Sequence, residues 1–164
     1  MKIVYVECKP DHTLARKLLH KDADIVHSGN KPGVIRALLK ERQGCHKEVV
    51  GMIDDDPDSP QPALLKSSFM DDQRFESLQH LYVKTLKGCG KEIRLIVIKE
   101  NLEDWILKAS GECRVDVEKF GLSKSVNWLH AIINSKLNLF EQLIDELIDK
   151  KCKRLEELGQ VLNQ

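Results

Sequence analysis

The chain has 164 residues, with 26 basic and 26 acidic side chains and a formal net charge of zero at pH 7. This length suits one well-buried domain with a small extension, and the balanced charge by itself predicts no partner. No apolar run approaches transmembrane length, and the five cysteines include no CxxC pair, which excludes a membrane-spanning protein and a typical zinc site. We therefore expect a soluble, cytoplasmic protein.

The charges are unevenly distributed along the chain. Residues 1–47 contain ten basic and five acidic side chains, whereas residues 48–76 contain two basic and eight acidic ones. An acidic segment that follows a basic one suits a cation site beside a surface for a phosphate-bearing ligand.

The first half of the chain alternates between strand and helix patterns. Short β-branched runs predict strands, and leucines at helical spacing after Pro10 predict a helix. Glycines in the turn at residues 28–33 permit a positive φ and a close approach of the backbone to a ligand. The predicted elements are strand 2–7, helix 10–19, strand 23–27, helix 34–42 and strand 49–53.

The second half opens with prolines that predict an irregular loop, followed by a short helix within residues 71–79. Two strands follow, of which the second reads IRLIVI and has the character of a buried parallel strand. Asn101 is expected to cap the next helix and Ser123 another. These later elements are strands 81–86 and 93–98, helices that begin at residues 101 and 123, and a long helix 138–158.

The order of these elements predicts an α/β fold with a doubly wound, mainly parallel sheet. We expect an α/β domain at residues 1–112 and a helical C-terminal extension, residues 113–164, that packs on it. In such sheets, ligands bind beyond the carboxyl ends of the strands. Acidic residues fall at three of these ends, namely Glu7, the pair Asp54 and Asp56, and Glu103.

The motif order resembles the TOPRIM family of primases, topoisomerases, small RNA maturases and OLD-type nucleases, a Rossmann-like fold. The resemblance covers a strand that ends in glutamate, VYVECKPD, a glycine-bearing turn after the second strand, and a strand that ends in DxD, VVGMIDDD. Leu102-Glu103 stands where OLD-type members carry a further acidic residue. The departures are Cys8 in place of a common glycine, and PDSPQP after the aspartates.

The resemblance implies a small Mg²⁺- or Mn²⁺-dependent nuclease that acts on DNA or RNA. Carboxylates hold the ions, which offset charge on the phosphate and lower the pKa of bound water. Glu7 would serve as the catalytic base and as a ligand. The implied metal ligands are Glu7, Asp54, Asp56 and Glu103, the phosphate contacts are Gly29, Lys31, Gly33 and Lys99, and the supporting residues are Asp11, Asp55 and Asp58.

Three alternatives stay open. The domain binds nucleic acid or a protein without catalysis, or it is a receiver-like domain in which Asp54 accepts a phosphoryl group, with Thr85 and Lys99 in support. The apolar stripe of the last helix forms a homodimer, or it packs within the chain, on the sheet or on the Val126–Ile133 helix. Trp105 and Trp128, each at helical spacing among apolar residues, are both expected in the core.

Overall fold

Six strands form one mixed sheet in the computed structural model, which describes residues 1–46 and 48–164. The strand order is β2-β1-β3-β6-β5-β4. Strands β2, β1, β3 and β6 run parallel, and the last two strands are antiparallel to their neighbours. The α/β class with a mainly parallel sheet is thus confirmed. The strands are β1 (Lys2–Val6), β2 (Ala23–His27), β3 (Glu48–Asp55), β4 (Phe69–Asp71), β5 (Leu81–Leu86) and β6 (Ile93–Lys99).

Helices cover both faces of the sheet, as a doubly wound fold requires. One face packs against α1 and α4 to α7, and the other packs against α2 and α3. Alternation along each strand separates the two cores, so that Val50 and Met52 face one side while Val49 and Ile53 face the other. The helices are α1 (Lys9–Leu18), α2 (Lys31–Lys40), α3 (Ala63–Ser68), α4 (Leu102–Glu112), α5 (Val126–Ser135), α6 (Leu137–Asp149) and α7 (Lys153–Asn163).

The C-terminal helices complete the larger core. The expected domain boundary at residue 112 falls at the end of α4, and the core continues across it without a break. The apolar stripe of the last two helices is buried within the chain, where α6 packs on α1 and α5, and α7 packs on α1 and α4. Its buried members include Phe140, Leu143, Ile144, Leu147, Leu155, Leu158 and Leu162.

Two predicted helix boundaries in this region are wrong. Ser123 does not cap a helix, because its hydroxyl accepts a hydrogen bond from Ser125 N in a turn before α5 begins. The long helix expected at residues 138–158 is two helices. Lys151 adopts a left-handed backbone with φ 54°, and Cys152 N donates to Leu147 O, which ends α6.

Other features were absent from the sequence interpretation. The segment after the prolines contains the short helix α3 and the edge strand β4, while the helix expected near residue 75 is one 3₁₀ turn, Gln73–Phe75. Cys113 and Cys152 lie together, with Cα atoms 5.9 Å apart, and form a disulfide. Within the described residues, no helix is long and apolar enough to cross a lipid bilayer.

The two tryptophans have opposite environments. Trp105 is fully buried on α4, as expected, but Trp128 exposes 69% of its surface on α5. The expectation that Trp128 belongs to the core is wrong, because Leu129 and Ile133 occupy the buried side of that helix.

Candidate functional site

The candidate site lies at the point where the winding of the sheet reverses. The chain leaves β1 toward β2 on one side, and then crosses to β3 on the other side of β1. The loops that follow β1 and β3 therefore diverge and leave a crevice between them, which is where open α/β sheets bind ligands. A crevice of about 270 Å³ at this point is lined by Glu7, Asn30, Lys31, Pro32, Asp54, Asp56, Ser59 and Pro60.

Asp54 is the central carboxylate of this crevice. It lies near the end of β3, and its Oδ2 accepts a hydrogen bond from Leu102 N at the start of α4 (3.0 Å). Its other oxygen, Oδ1, is buried without a hydrogen-bond partner. Burial first, and then the charges of Asp11 and Glu7, raise the pKa of Asp54 to about 9.

Glu7 and Asp56 border the same crevice. Glu7 follows β1, and its Oε2 accepts a hydrogen bond from Asp54 N (2.8 Å), which ties the ends of the two strands together. Burial raises the pKa of Glu7, and the charge of Asp56 raises it further. Asp56 turns the chain away from β3, because its Oδ1 accepts from Asp58 N (3.0 Å). The residues that carry the DxD resemblance are thus neighbours of the glutamate.

Asp11 belongs to this cluster more closely than its expected supporting role indicates. It is almost fully buried at the third position of α1, where its Oδ2 accepts from both the backbone N and the Sγ of Cys8. Its Oδ1 has no partner, and burial raises its pKa to about 7. The signal in the sequence is the spacing of Cys8 and Asp11, which is that of a capping box.

Glu103 reaches the cluster from the first turn of α4 and has a partner that the sequence did not reveal. Its side chain is buried, and its charge contributes to the raised pKa values of Asp11 and Asp54. Glu103 Oε1 lies 2.5 Å from Nδ1 of His130, an exposed residue of α5. Sequence spacing carries no sign of this pair, because 27 residues separate its members.

Lys31 lies in the crevice, but the glycines around it do not. Lys31 is buried at the start of α2, and its ammonium group has no hydrogen-bond partner. Its positive charge lowers the pKa of nearby Glu7, against the larger effect of burial. Gly29 supplies a left-handed turn (φ 86°), and Gly33 allows the helix to start close to Ser28 O, so both shape the backbone that presents Lys31.

Three more expected residues, like the two glycines, lie outside the crevice. Lys99 donates to Gln79 O (2.6 Å) and rests over the ring of Tyr82 (4.5 Å). Asp55 points to the opposite face of the sheet, where its Oδ1 accepts from Gln61 Nε2 (3.0 Å). Asp58 is exposed. Strand alternation accounts for Asp55, and the bond to Gln79 accounts for Lys99.

The receiver-like alternative gains no geometric support. Thr85 pairs with Arg94 near the start of β6, at the edge of the sheet away from Asp54. This follows from the antiparallel direction of β5, whereas the receiver reading needs a parallel strand whose end lies beside the aspartate. Lys99 is engaged by Tyr82 and Gln79.

Comparisons with protein-family models, with curated proteins and with solved structures give no match to this chain. The site is therefore characterised by its own geometry and chemistry.

The candidate site brings several carboxyl groups together in a buried region at the ends of β1 and β3. Burial, with smaller contributions from the charges of neighbouring carboxylates, raises the pKa values of Glu7, Asp11 and Asp54. Such a cluster becomes stable at neutral pH by retaining protons or by binding a cation. The unpartnered oxygens Asp11 Oδ1 and Asp54 Oδ1 are of the hard type that Mg²⁺ prefers. Across residues 1–46 and 48–164, however, no three His, Cys, Asp or Glu side chains already form a metal-coordinating group.

Proposed function

We propose that the chain is a TOPRIM-like enzyme that hydrolyses phosphodiester bonds of nucleic acid with Mg²⁺ or Mn²⁺. The observation that carries the proposal is the meeting of Glu7 and Asp54 at the sheet's switch point, with Asp54 Oδ1 buried and unpartnered. A buried carboxylate oxygen without a partner costs free energy that a bound cation would offset. Asp56 lies in the same crevice and completes the acidic set.

Each residue of the crevice has a part in this proposal. Asp54, Asp56 and Glu7 would hold the ion, and Glu103 lies at the edge of the cluster where a second ion would be held. The ion supplies charge stabilisation on the phosphate and acidifies a bound water. Lys31 offers a buried positive charge, without a competing hydrogen bond, to a non-bridging phosphate oxygen.

Glu7 is the proposed base. Its Oε2 is held by Asp54 N, and its raised pKa brings it closer to the range in which a carboxylate accepts a proton well. Glu7 would take the proton from water as the water oxygen bonds to phosphorus. The bond from phosphorus to the leaving sugar oxygen then breaks, and that oxygen receives a proton from solvent.

A cleavage assay tests this proposal. Single- and double-stranded DNA and RNA oligonucleotides are incubated with Mn²⁺ and with wild type, Glu7→Gln or Asp58→Asn. We expect wild type and Asp58→Asn to cut at similar rates, because Asp58 is exposed outside the crevice. Loss of the base is expected to slow Glu7→Gln by about 10²- to 10⁴-fold. Equal rates for Glu7→Gln and wild type would remove Glu7 from the mechanism.

A second function is binding of nucleic acid without catalysis. It is favoured by the lack of a preformed metal-coordinating group among the described residues. Both functions predict that oligonucleotides bind, and only the first predicts products. Binding in the same samples without any cleavage by wild type would select the second function.

The homodimer through the C-terminal helix remains a separate prediction, which light scattering on the full chain would test.

A further inference from the structure

Trp128 is an aromatic side chain without a place in the core. It exposes 69% of its surface on α5, whereas Trp105 on the neighbouring helix α4 is completely buried. An indole gains a large free energy when its apolar surface is covered, so an exposed one commonly marks a surface that binds a partner. Neither the acidic crevice nor the core accounts for this residue.

The exposed face of α5 extends from Trp128 to the edge of the candidate site. At 100° per residue, Trp128 and His130 lie about 160° apart, with Asn127, Ala131 and Asn134 between them. All five side chains belong to exposed residues. His130 contacts Glu103 through Nδ1, and Glu103 influences the pKa of Asp54. One side of this face therefore adjoins the acidic cluster, and the other carries the indole.

The charge around α5 differs from that of the rest of the chain. Residues 119–140 include three lysines and no aspartate or glutamate, although the whole chain has equal numbers of acidic and basic side chains. These lysines, Lys119, Lys124 and Lys136, are all exposed. Lys124 and Lys136 lie just before and just after α5, so both ends of the exposed face carry positive charge. This charge complements a polyanion.

We propose that the exposed face of α5 binds single-stranded nucleic acid and leads the strand to the acidic crevice. Trp128 stacks on an unpaired base, while Lys124 and Lys136 neutralise backbone phosphates. His130 lies where the strand passes from α5 to the carboxylates and is a positioning residue there. The strand must be single, because a stacked base has to leave its neighbours and partner to reach the indole. This inference rests on the proposed function, since it identifies the substrate class of the same site.

The exposed indole and its polar, basic neighbours together favour single-stranded nucleic acid as the ligand of α5. A protein partner for Trp128 would need an apolar surface, but Asn127, Asn134 and the two lysines make its surroundings polar and basic. A double-stranded partner would use the lysines but not the indole. Aromatic stacking beside exposed lysines is the mode by which single strands are bound without sequence preference.

The test is binding of fluorescein-labelled dT20 and rU20 by anisotropy, with Ca²⁺ replacing Mg²⁺ so that turnover does not interfere. We expect Trp128→Ala to weaken binding by about 5- to 150-fold, the range for losing one stacked base. The exposed aromatic Tyr82 lies on β5 beside Lys99 and provides the matched control, so Tyr82→Ala should bind like wild type. Binding should also quench tryptophan fluorescence in wild type but not in Trp128→Phe.

The lysines are tested through the salt dependence of the same binding. In Lys124→Gln/Lys136→Gln, the slope of log affinity against log salt should fall in magnitude by about 1.4, since each phosphate contact on a single strand contributes about 0.7. The control is Lys40→Gln/Lys87→Gln, two exposed lysines, of which Lys40 ends α2 and Lys87 directly follows β5. Equal slopes in both double variants would overturn the assignment of the lysines.

The outcomes separate this inference from the proposed function. If wild type binds the oligonucleotides through Trp128 but cuts none, the inference stands and the proposed enzyme activity fails. If wild type cuts nucleic acid while Trp128→Ala binds and cuts as wild type does, the activity stands and the inference is overturned. The inference is also overturned if wild type binds no oligonucleotide, or binds duplex as tightly as single strands, and α5 would then remain a surface for a protein partner.

Discussion

Single residues of the acidic cluster work against the stability of the fold. Burial and then the charge of Asp11 raise the pKa of Asp54 to about 9, and burial and then the charge of Glu7 raise the pKa of Asp11 to about 7. Cys8 donates to Asp11, and Leu102 N donates to Asp54, but one oxygen of each aspartate stays unpartnered. Buried groups with strongly raised pKa values are concentrated at functional sites of proteins.

The raised pKa values predict that stability falls as pH rises. Between the unfolded pKa of an aspartate, about 3.9, and the folded value of about 9, the folded protein holds a proton that the unfolded chain releases. Rising pH therefore favours unfolding. Asp54→Asn removes this effect and keeps an oxygen for Leu102 N, so it should be more stable than wild type at pH 8 by several kcal/mol, and by less at pH 5. Urea denaturation at pH 5 and pH 8 measures both changes.

The exposed Asp24 on β2 provides the control for this prediction, and Asp24→Asn should follow wild type at both pH values. Addition of Mg²⁺ should raise the melting temperature of wild type and not that of Asp54→Asn, because a ligand stabilises the folded state that binds it. If the free energy of unfolding of wild type increased from pH 5 to pH 8, ionisation of the buried carboxylates would not destabilise the fold, and the prediction would be contradicted.

At the scale of elements, two glycines illustrate opposite roles of the same residue type. A Cβ on Gly33 would lie 2.5 Å from Ser28 O, a backbone atom that cannot move aside without shifting the start of α2. Gly111 lies within α4, and a Cβ there would meet nothing within 4 Å. Only the first glycine is required by its surroundings.

We therefore expect Gly33→Ala to destabilise the protein by about 1–3 kcal/mol, as overpacking does. Gly111→Ala should stabilise it by about 0.4–1 kcal/mol, because alanine restricts the unfolded chain and favours helix. The two free energies of unfolding, measured by urea titration at one pH, should lie on opposite sides of the wild-type value. A destabilised Gly111→Ala would contradict the open space around that position.

The sequence predicts those elements whose signal is local. Asn101 caps α4 as expected, with its Oδ1 accepting from Asp104 N, and the apolar run of β6 forms a buried strand. The break at Lys151 was not predicted, because a left-handed lysine has no sequence signature comparable to that of glycine. Strand β4 was missed because three residues are too few for a period-2 pattern.

The site was predictable only in part, for a similar reason. Glu7, Asp54 and Asp56 follow strands whose ends meet by a general rule of parallel sheets, so chain order suffices to bring them together. Lys99 is the last residue of such a strand, β6, yet its side chain turns toward Tyr82 on the other face of the sheet. The contact of His130 with Glu103 depends on how α5 packs on α4, which follows from three-dimensional packing rather than from any local pattern.

At the scale of the whole molecule, the C-terminal helices are part of the structural support of the sheet. Leu158 on α7 is fully buried in the larger core, and Arg94 on β6 donates to the carbonyl oxygen of Val161 (3.0 Å). Buried in this way, the guanidinium group fixes α7 against the sheet. The extension expected at residues 113–164 therefore shares one core with the strands.

This arrangement predicts a large effect of a distant substitution. Leu158→Ala should destabilise the protein by about 2–5 kcal/mol, the usual cost of removing a fully buried leucine side chain beyond Cβ. Leu64 on α3 is 48% exposed, and Leu64→Ala should stay within about 0.5 kcal/mol of wild type. Thermal unfolding followed by circular dichroism compares the two. Equal melting temperatures would mean that α7 folds independently of the sheet.

The hydrogen bonds between α7 and the end of α1 also determine the order of folding steps during synthesis. Asn163 donates to Leu18 O and accepts from His20 N, so the helix that carries Asp11 is fastened by a residue made more than 140 positions later. A nascent chain can pair β1 with β2 and β3 long before Asn163 leaves the ribosome. During that interval the acidic crevice lacks its full support, and we expect the proposed cation binding to appear only after α7 has packed on α1.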